Sequence, residues 1–455
     1  MKINQKIMSA ILGSVLIFYA ATLISCKNQP DSDSENSTTL KGVTSLFIVN
    51  PTKQKKNYDD TWVKIETVER AAETETKPIR FTSFNKGTQL TFEDHNREFI
   101  YGKHTATLRY VGNYFYLWTF DDEENVQGLS LTDEQLENFS KKFDSIYLRE
   151  TALCGPKFQG SRENKSLISP NDKISIIFYD IGNDKQRGTV GGYFTANTFY
   201  NKNPSIEALY IDSYCINQSE TYIYSVLVHE FNHMLNYVNK TLKYGLNWES
   251  WYTEMLSMLT EDFFTEELDV KYDDCIQKRL ESFITPTHRY GFGNWQDINN
   301  NSNTIYNYAN AYAFGAYLVR NYGGAELMHE IATNAYINED SVVQAVNKIN
   351  GTTLTFNDLL KEFPAILINT QNNRTDLPSL NKEVSGAINA DLSEYNYHLK
   401  AINLDCLREG VSIRPDDIKY LSSTDFDSYG FLFFDFKEKT DINLSLKDFL
   451  IYSAF

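Results

Sequence analysis

The strongest chemical signature in the chain is the run Val228-His229-Glu230-Phe231-Asn232-His233. It lies in an apolar segment, Thr221 to Val238, that is too long for a strand and reads as a helix. On a helix, positions i and i+4 share one face a turn apart. His229 and His233 can therefore aim their imidazoles at a single ion, with Glu230 beside them. Neutral imidazole suits Zn²⁺, whose catalytic sites use three protein ligands and leave a fourth position for water. Such an ion lowers the pKa of that water and polarises a carbonyl. A neighbouring carboxylate that is not a ligand can take the water's proton and pass it to a leaving amine. Glu230 is the candidate for that role.

The chain has 7 His in 455 residues, so an accidental H-E-x-x-H should arise in on the order of one such chain in a hundred. A plain buried helix explains the apolar flanks Val226, Leu227, Phe231, Met234 and Leu235. It gives no reason for two His and a Glu among them, because burying ionisable groups is costly unless they are paired or metal-bound. His329-Glu330 is an internal control: Ile331-Ala332-Thr333 follows, no second His arrives, and the pair reads as ordinary helix surface. A third ligand is needed. Asn236 and Asn239 rule out the extended form with a third His, which leaves a carboxylate from a second helix. By spacing alone Glu249, Glu254, Glu261 and Asp262 all qualify.

The elements that must position these groups follow from patterning. Short β-branched and aromatic runs, among them Ser45 to Val49, Thr105 to Val111 and Tyr114 to Phe120, are separated by turn residues. They predict a β-rich N-terminal domain over 41–128. A helix capped by Thr132 and Gln135 runs towards Tyr147. Lys173 to Ile181 and Ala208 to Asp212 read as strands. Asn247 is expected to cap a second helix through about Phe264, and helical patterns continue over Asp269–Phe283, Ile305–Tyr322, Ala325–Asn334, Ser341–Ile349 and Phe356–Ile368. Strand-like runs return after a polar break at Gln371 to Pro378.

The composition sets bounds. Hydrophobic residues make up 42% and aromatics 14%, enough for large cores. A formal net charge of −17 repels phosphate backbones, so no nucleic-acid partner is expected. Lys2 and Lys6 precede an apolar stretch, Ile7 to Ile24, in the layout of a secretory signal. The sequence Leu23-Ile24-Ser25-Cys26 resembles the cleavage box of bacterial lipoproteins, although Ile24 sits where a smaller residue is usual. The layout makes 1–25 a signal peptide, the resemblance makes Cys26 a lipidated first residue that holds the protein to a membrane, and the polar composition after it makes 26–40 a flexible tether. An uncleaved transmembrane anchor is the other reading. Cys154, Cys215, Cys275 and Cys406 form no C-x-x-C, which argues against a thiolate metal site.

Trp251-Tyr252-Thr253-Glu254 resembles the W-x-x-E of the glutamate-zincins, and this resemblance assigns the third ligand to Glu254. Gly191-Gly192-Tyr193-Phe194, Tyr210-Ile211-Asp212, Val228 to Asn236 and Trp251 to Met258 occur in that order. Together they look like the hyicolysin family of secreted bacterial zinc endopeptidases, over roughly Ser130 to Phe363. Asn232 departs from the longer polar residue usual at that place, which makes no metal contact. The resemblance implies an α+β chain with a zincin-type metallopeptidase core over 129–372. That core would have a twisted sheet packed on the active-site helices and a helical second half, with β-rich segments on either side, the C-terminal one spanning 373–455. It implies one catalytic Zn²⁺ and a protein or peptide substrate. Tyr312, in Tyr312-Ala313-Phe314-Gly315-Ala316, resembles the Tyr-x-x-Gly-Ala of zinc aminopeptidases, whose phenol donates to the developing oxyanion; His288 is another candidate donor. Gly192, Tyr193 and Phe194 are expected to form a substrate-binding edge strand, with a tight turn entering a core strand as the alternative. Two rival functions share these residues: a non-catalytic binding or adhesion lipoprotein on the same scaffold, and a zinc hydrolase acting on a non-peptide bond.

Overall fold

The computed structural model describes residues 38–53, 83–94, 102–121, 131–157, 173–183, 185–186, 190–199, 206–217, 220–269, 278–284, 290–295, 304–404, 427–444 and 449–454. The signal segment, Cys26, Cys275, Cys406 and His288 lie outside them.

Burial on two faces builds the central layer. Strands β4 (Phe115–Phe120) and β5 (Ile174–Tyr179) are almost continuously apolar, as a strand covered on both sides must be. They pair in parallel, Phe115 opposite Ile174, and β5 pairs in parallel with β7 (Ala208–Asp212). Parallel pairing requires a crossover. Helix α1 (Asp133–Cys154) supplies the one between β4 and β5, opened by the expected capping box of Thr132 and Gln135. Strands β2 (Gln89–Asp94), β3 (Gly102–Val111) and β6 (Gly192–Phe194) complete a sheet of order β2-β3-β4-β5-β7-β6, with β6 on an edge. Ile174, Ile176 and Phe178 face the core under α1 and α2 (Glu220–Asn236), while Ile177 and Tyr179 join Trp118 and Tyr210 on the opposite face.

The strands expected to form a separate N-terminal domain divide instead. β2 to β4 enter the central sheet, because the apolar β4 finds its partner in β5. β1 (Thr38–Val49) pairs antiparallel with β10 (Phe431–Leu444) on one side and β11 (Leu450–Ala454) on the other. At its end, Asn50 exchanges backbone hydrogen bonds with Tyr429 and Gly430 at 2.9 Å each. Tyr429 is buried against Trp251, Phe292 and Phe356, so this three-stranded sheet is joined to the helical half.

That half comprises α3 (Ser250–Phe263), α4 (Lys278–Ile284), α5 (Thr304–Tyr322), α6 (Gly324–Thr333), α7 (Asn338–Asn350) and α8 (Phe356–Glu362). A hairpin, β8 (Val384–Ala390) with β9 (Ser393–Leu399), follows. α3 begins at Ser250 with Glu249 at its N-cap, not Asn247. α8 gives way to a 3₁₀ turn, Phe363–Leu367, at Pro364, whose missing N–H cannot continue the α ladder. α2 runs on into a π-helical turn, Tyr237–Leu242. No helix among the described residues is long and apolar enough to cross a membrane. Cys154 and Cys215 are buried and are not joined in a disulfide.

Candidate metal centre

The periodicity of α2 turns Leu227, Val228, Phe231 and Leu235 into the core and leaves His229 and His233 on the face towards α3. Their rings stand 4.8 Å apart between centroids. His229 Nε2 lies 3.1 Å and His233 Nε2 3.6 Å from the same atom, Glu254 Oε2. Three donors at about 2.0–2.1 Å from a tetrahedral ion sit roughly 3.3 Å from one another. The two separations from Glu254 Oε2 bracket that value, so the two imidazoles and the carboxylate suit a zinc-sized ion. His229, His233 and Glu254 are also the one such group found among the described residues. Each side chain keeps about 15% exposure, which leaves the centre open on one side.

The other nitrogen of each ring is occupied. His229 Nδ1 is 2.8 Å from Glu261 Oε1, and His233 Nδ1 is 2.9 Å from Thr253 Oγ1 and 3.3 Å from Ser257 Oγ. These contacts fix which nitrogen faces the centre. Electrostatics follow from crowding charge into a buried space. Burial alone would lower the His229 pKa, but the carboxylates of Glu254 and Glu261 on either side outweigh it and raise it to about 10. Burial would raise Glu254, yet the two histidines hold its carboxyl well below the usual range. Glu261 is likewise pushed up by burial but pulled down to about 2 by Arg279, His229 and Ser225. Glu230 is buried, which raises its pKa despite the adjacent imidazoles. Its carboxylate accepts a hydrogen bond from the Phe194 backbone amide, so edge strand β6 touches the general-base candidate directly.

The four carboxylates left open by spacing now sort themselves. Glu254 joins the histidines. Glu249 turns away to Lys53 and accepts from Trp251 Nε1 at 3.0 Å. Glu261 lies behind His229, on Nδ1. Asp262 is bound by Arg320 Nη1 at 2.9 Å. Tyr312 is not delivered to the ligands: fully buried, it donates to Asp262 Oδ2 at 2.8 Å. Tyr308, one turn earlier on α5, does reach them. Its hydroxyl hydrogen-bonds with Glu254, and burial beside Glu254 and Glu230 pushes its pKa well up, so it stays a donor. The i, i+4 relation of Tyr308 to Tyr312 was visible in the sequence, but which turn of α5 meets the site was not. Gly192 and Phe194 are partly exposed, whereas Tyr193 is buried, stacked on Tyr210 at 4.7 Å with its hydroxyl 3.0 Å from that of Tyr179.

Comparison with known proteins places the chain among metallopeptidases. The Neutral metalloprotease ShpI of Staphylococcus hyicus is 24% identical over 275 residues, which cover 58% of this chain and 58% of that protein. A solved aminopeptidase N family protein from Idiomarina loihiensis covers 63% of this chain and 50% of its own at 14% identity; its TM-score of 0.37 is too low to carry an argument. The family described as Peptidase M30 matches residues 112–402, from just before β4 to just after β9 and so across every residue of the centre. The chain belongs to the peptidase M30 family.

Proposed function

We propose that this protein is an extracytoplasmic zinc-dependent endopeptidase, with His229, His233 and Glu254 as metal ligands and Glu230 as general base. The convergence of both Nε2 atoms on Glu254 Oε2, with Glu230 alongside, carries the reading. Zinc held there would supply Lewis acidity towards a peptide carbonyl and a water of lowered pKa. The chain's own groups do the rest. Glu230, its pKa raised by burial, is the stronger base for that; it takes the proton of the attacking water and returns it to the leaving amine. Tyr308, kept protonated, donates to the carbonyl oxygen as charge grows on it. β6 is an edge strand of the described sheet, suited to main-chain pairing with an extended peptide along Gly192 to Phe194. Tyr193 turns its side chain to the opposite face and pairs with Tyr210 of β7, so its part is to hold the strand in place. The signal layout and Cys26 place the body outside the cytoplasm, held to a membrane by lipid.

Glu230→Gln tests the mechanism. It should bind one zinc yet cleave casein on the order of 10²–10⁴ times more slowly, the usual worth of a positioned acid–base group. Equal cleavage by Glu230→Gln would remove Glu230 from the chemistry. A wild-type protein that bound no zinc would favour the binding-scaffold reading.

A further inference from the structure

A buried carboxylate stands directly behind His229, and something must hold it. Glu261 is 4% exposed. A buried charge is tolerated only when paired and hydrogen-bonded. Arg279 Nη2 lies 2.7 Å from its Oε1 and 2.8 Å from its Oε2. Ser225 Oγ donates to Oε2 at 2.5 Å, and His229 Nδ1 takes up Oε1 at 2.8 Å. Ser225 comes from α2 itself, one turn before His229, so it moves with the histidine and cannot anchor the carboxylate independently. Arg279 comes from another element, α4. It is the outside brace, and its guanidinium also lies 5.8 Å from the centre of the Tyr312 ring. α4 is short and is seated by Leu280 and Phe283, both fully buried, with Phe283 against Phe363 at 5.7 Å and Phe431 of β10 at 6.0 Å.

We propose that Arg279 is a positioning residue of the metal centre: by pinning Glu261 behind His229, it lets the seating of α4 set how tightly the divalent ion is held. This rests on the metal-binding reading above. The physical reason is that a ligating imidazole held through its other nitrogen pays no orientational cost on binding, and the carboxylate behind it makes the ring a better donor. Without the guanidinium, Glu261 is braced only by the helix that carries His229, and both can turn together.

The test uses the full chain, stripped of metal, with zinc affinity read by competition against a chelating dye and folding read by thermal melting. Wild type should bind one zinc. Arg279→Met should weaken binding on the order of 10–100-fold, as should Glu261→Gln. The double variant should be no weaker than Glu261→Gln alone, since Arg279 acts through that carboxylate. Arg279→Lys keeps the charge with a shorter reach and should fall between wild type and Arg279→Met; it decides the matter if Arg279→Met does not fold. Wild-type affinity in Arg279→Lys and Arg279→Met, or fully additive losses in the double variant, overturns the proposal while leaving the zinc site standing. A wild type that binds no zinc overturns both.

Discussion

At the scale of single residues, the two tyrosines of α5 separate chemistry from packing. Tyr308→Phe removes a donor aimed at the ligands and should lower kcat on the order of 10²–10³-fold, with zinc content unchanged. Tyr312→Phe leaves a buried acceptor on Asp262 short of a partner; it should cost about 1–3 kcal/mol in denaturant melting and leave kcat near wild type. The reverse pattern would return the oxyanion role to Tyr312. Titration gives a second prediction, for the metal-free protein. His229 is raised from 6.5 to about 10, so its contribution to stability is full below pH 6.5 and lost as pH climbs towards 10. Glu261 is lowered from 4.5 to about 2, so its contribution is full above pH 4.5 and lost as pH falls towards 2. Melting temperature should therefore peak between these limits. Zinc, which needs the neutral imidazole, should abolish the alkaline decline; a decline that persists with zinc bound would count against His229 as a ligand. The pairing of His229 with His233 was legible because helical spacing puts i and i+4 on one face, with Glu230 next in the chain beside them. Glu254 needed family resemblance to single it out from Glu249, Glu261 and Asp262. Arg279 and Tyr308 were not legible, because each reaches the centre from a helix whose docking no local pattern encodes. His329 shows the converse: read as surface, it sits 2.9 Å from the carbonyl of Ala152 at the end of α1.

Among elements, β6 is the most constrained. A Cβ at Gly192 would come within 2.8 Å of the Tyr210 carbonyl oxygen and equally close to Val226. The first is backbone of β7 and cannot swing aside. Gly192→Ala should therefore shift β6 away from β7 and loosen the Phe194 amide from Glu230. The expected outcome is a higher KM for long peptides and a lower kcat/KM at full zinc occupancy; unchanged kinetics would remove β6 from substrate binding. A similar close approach holds α5 on α3, where a Cβ at Gly315 would meet Met255 at 2.7 Å. Most helices were readable from periodicity and caps, and α1 opens on the expected capping box, while α8 opens on another, from Thr355 and Asp358. The errors fell where tertiary contacts outvote local signals. Asn247 has the right chemistry for a cap, but Glu249 takes the place, its backbone N–H held by Asn338 Oδ1 at 2.9 Å. A strand's partner is not written in its own residues either, and so β1 to β4 read as one domain.

For the molecule as a whole, the tie to the membrane is proposed to be the lipid on Cys26, 203 residues before His229 in the chain. Cys26→Ser should thus move the protein from the membrane to the soluble fraction with melting temperature and kcat/KM unaltered. Retention in the membrane fraction would favour an uncleaved anchor. β1 lies between β10 and β11, which come more than 380 residues later in the chain. At a synthesis rate of 5–20 residues per second, about 20–80 s separate the appearance of β1 from that of its partners. Throughout that interval Leu46, Phe47, Ile48 and Val49 have no strand to pair with, and the turn that carries Tyr429 has not yet been made. The three-stranded sheet is therefore a late event by construction. A chain read as crossing a membrane to reach its place of work thus carries, in its own strand order, a delay that keeps β1 without its native partners, and so threadable, until β10 and β11 have been synthesised.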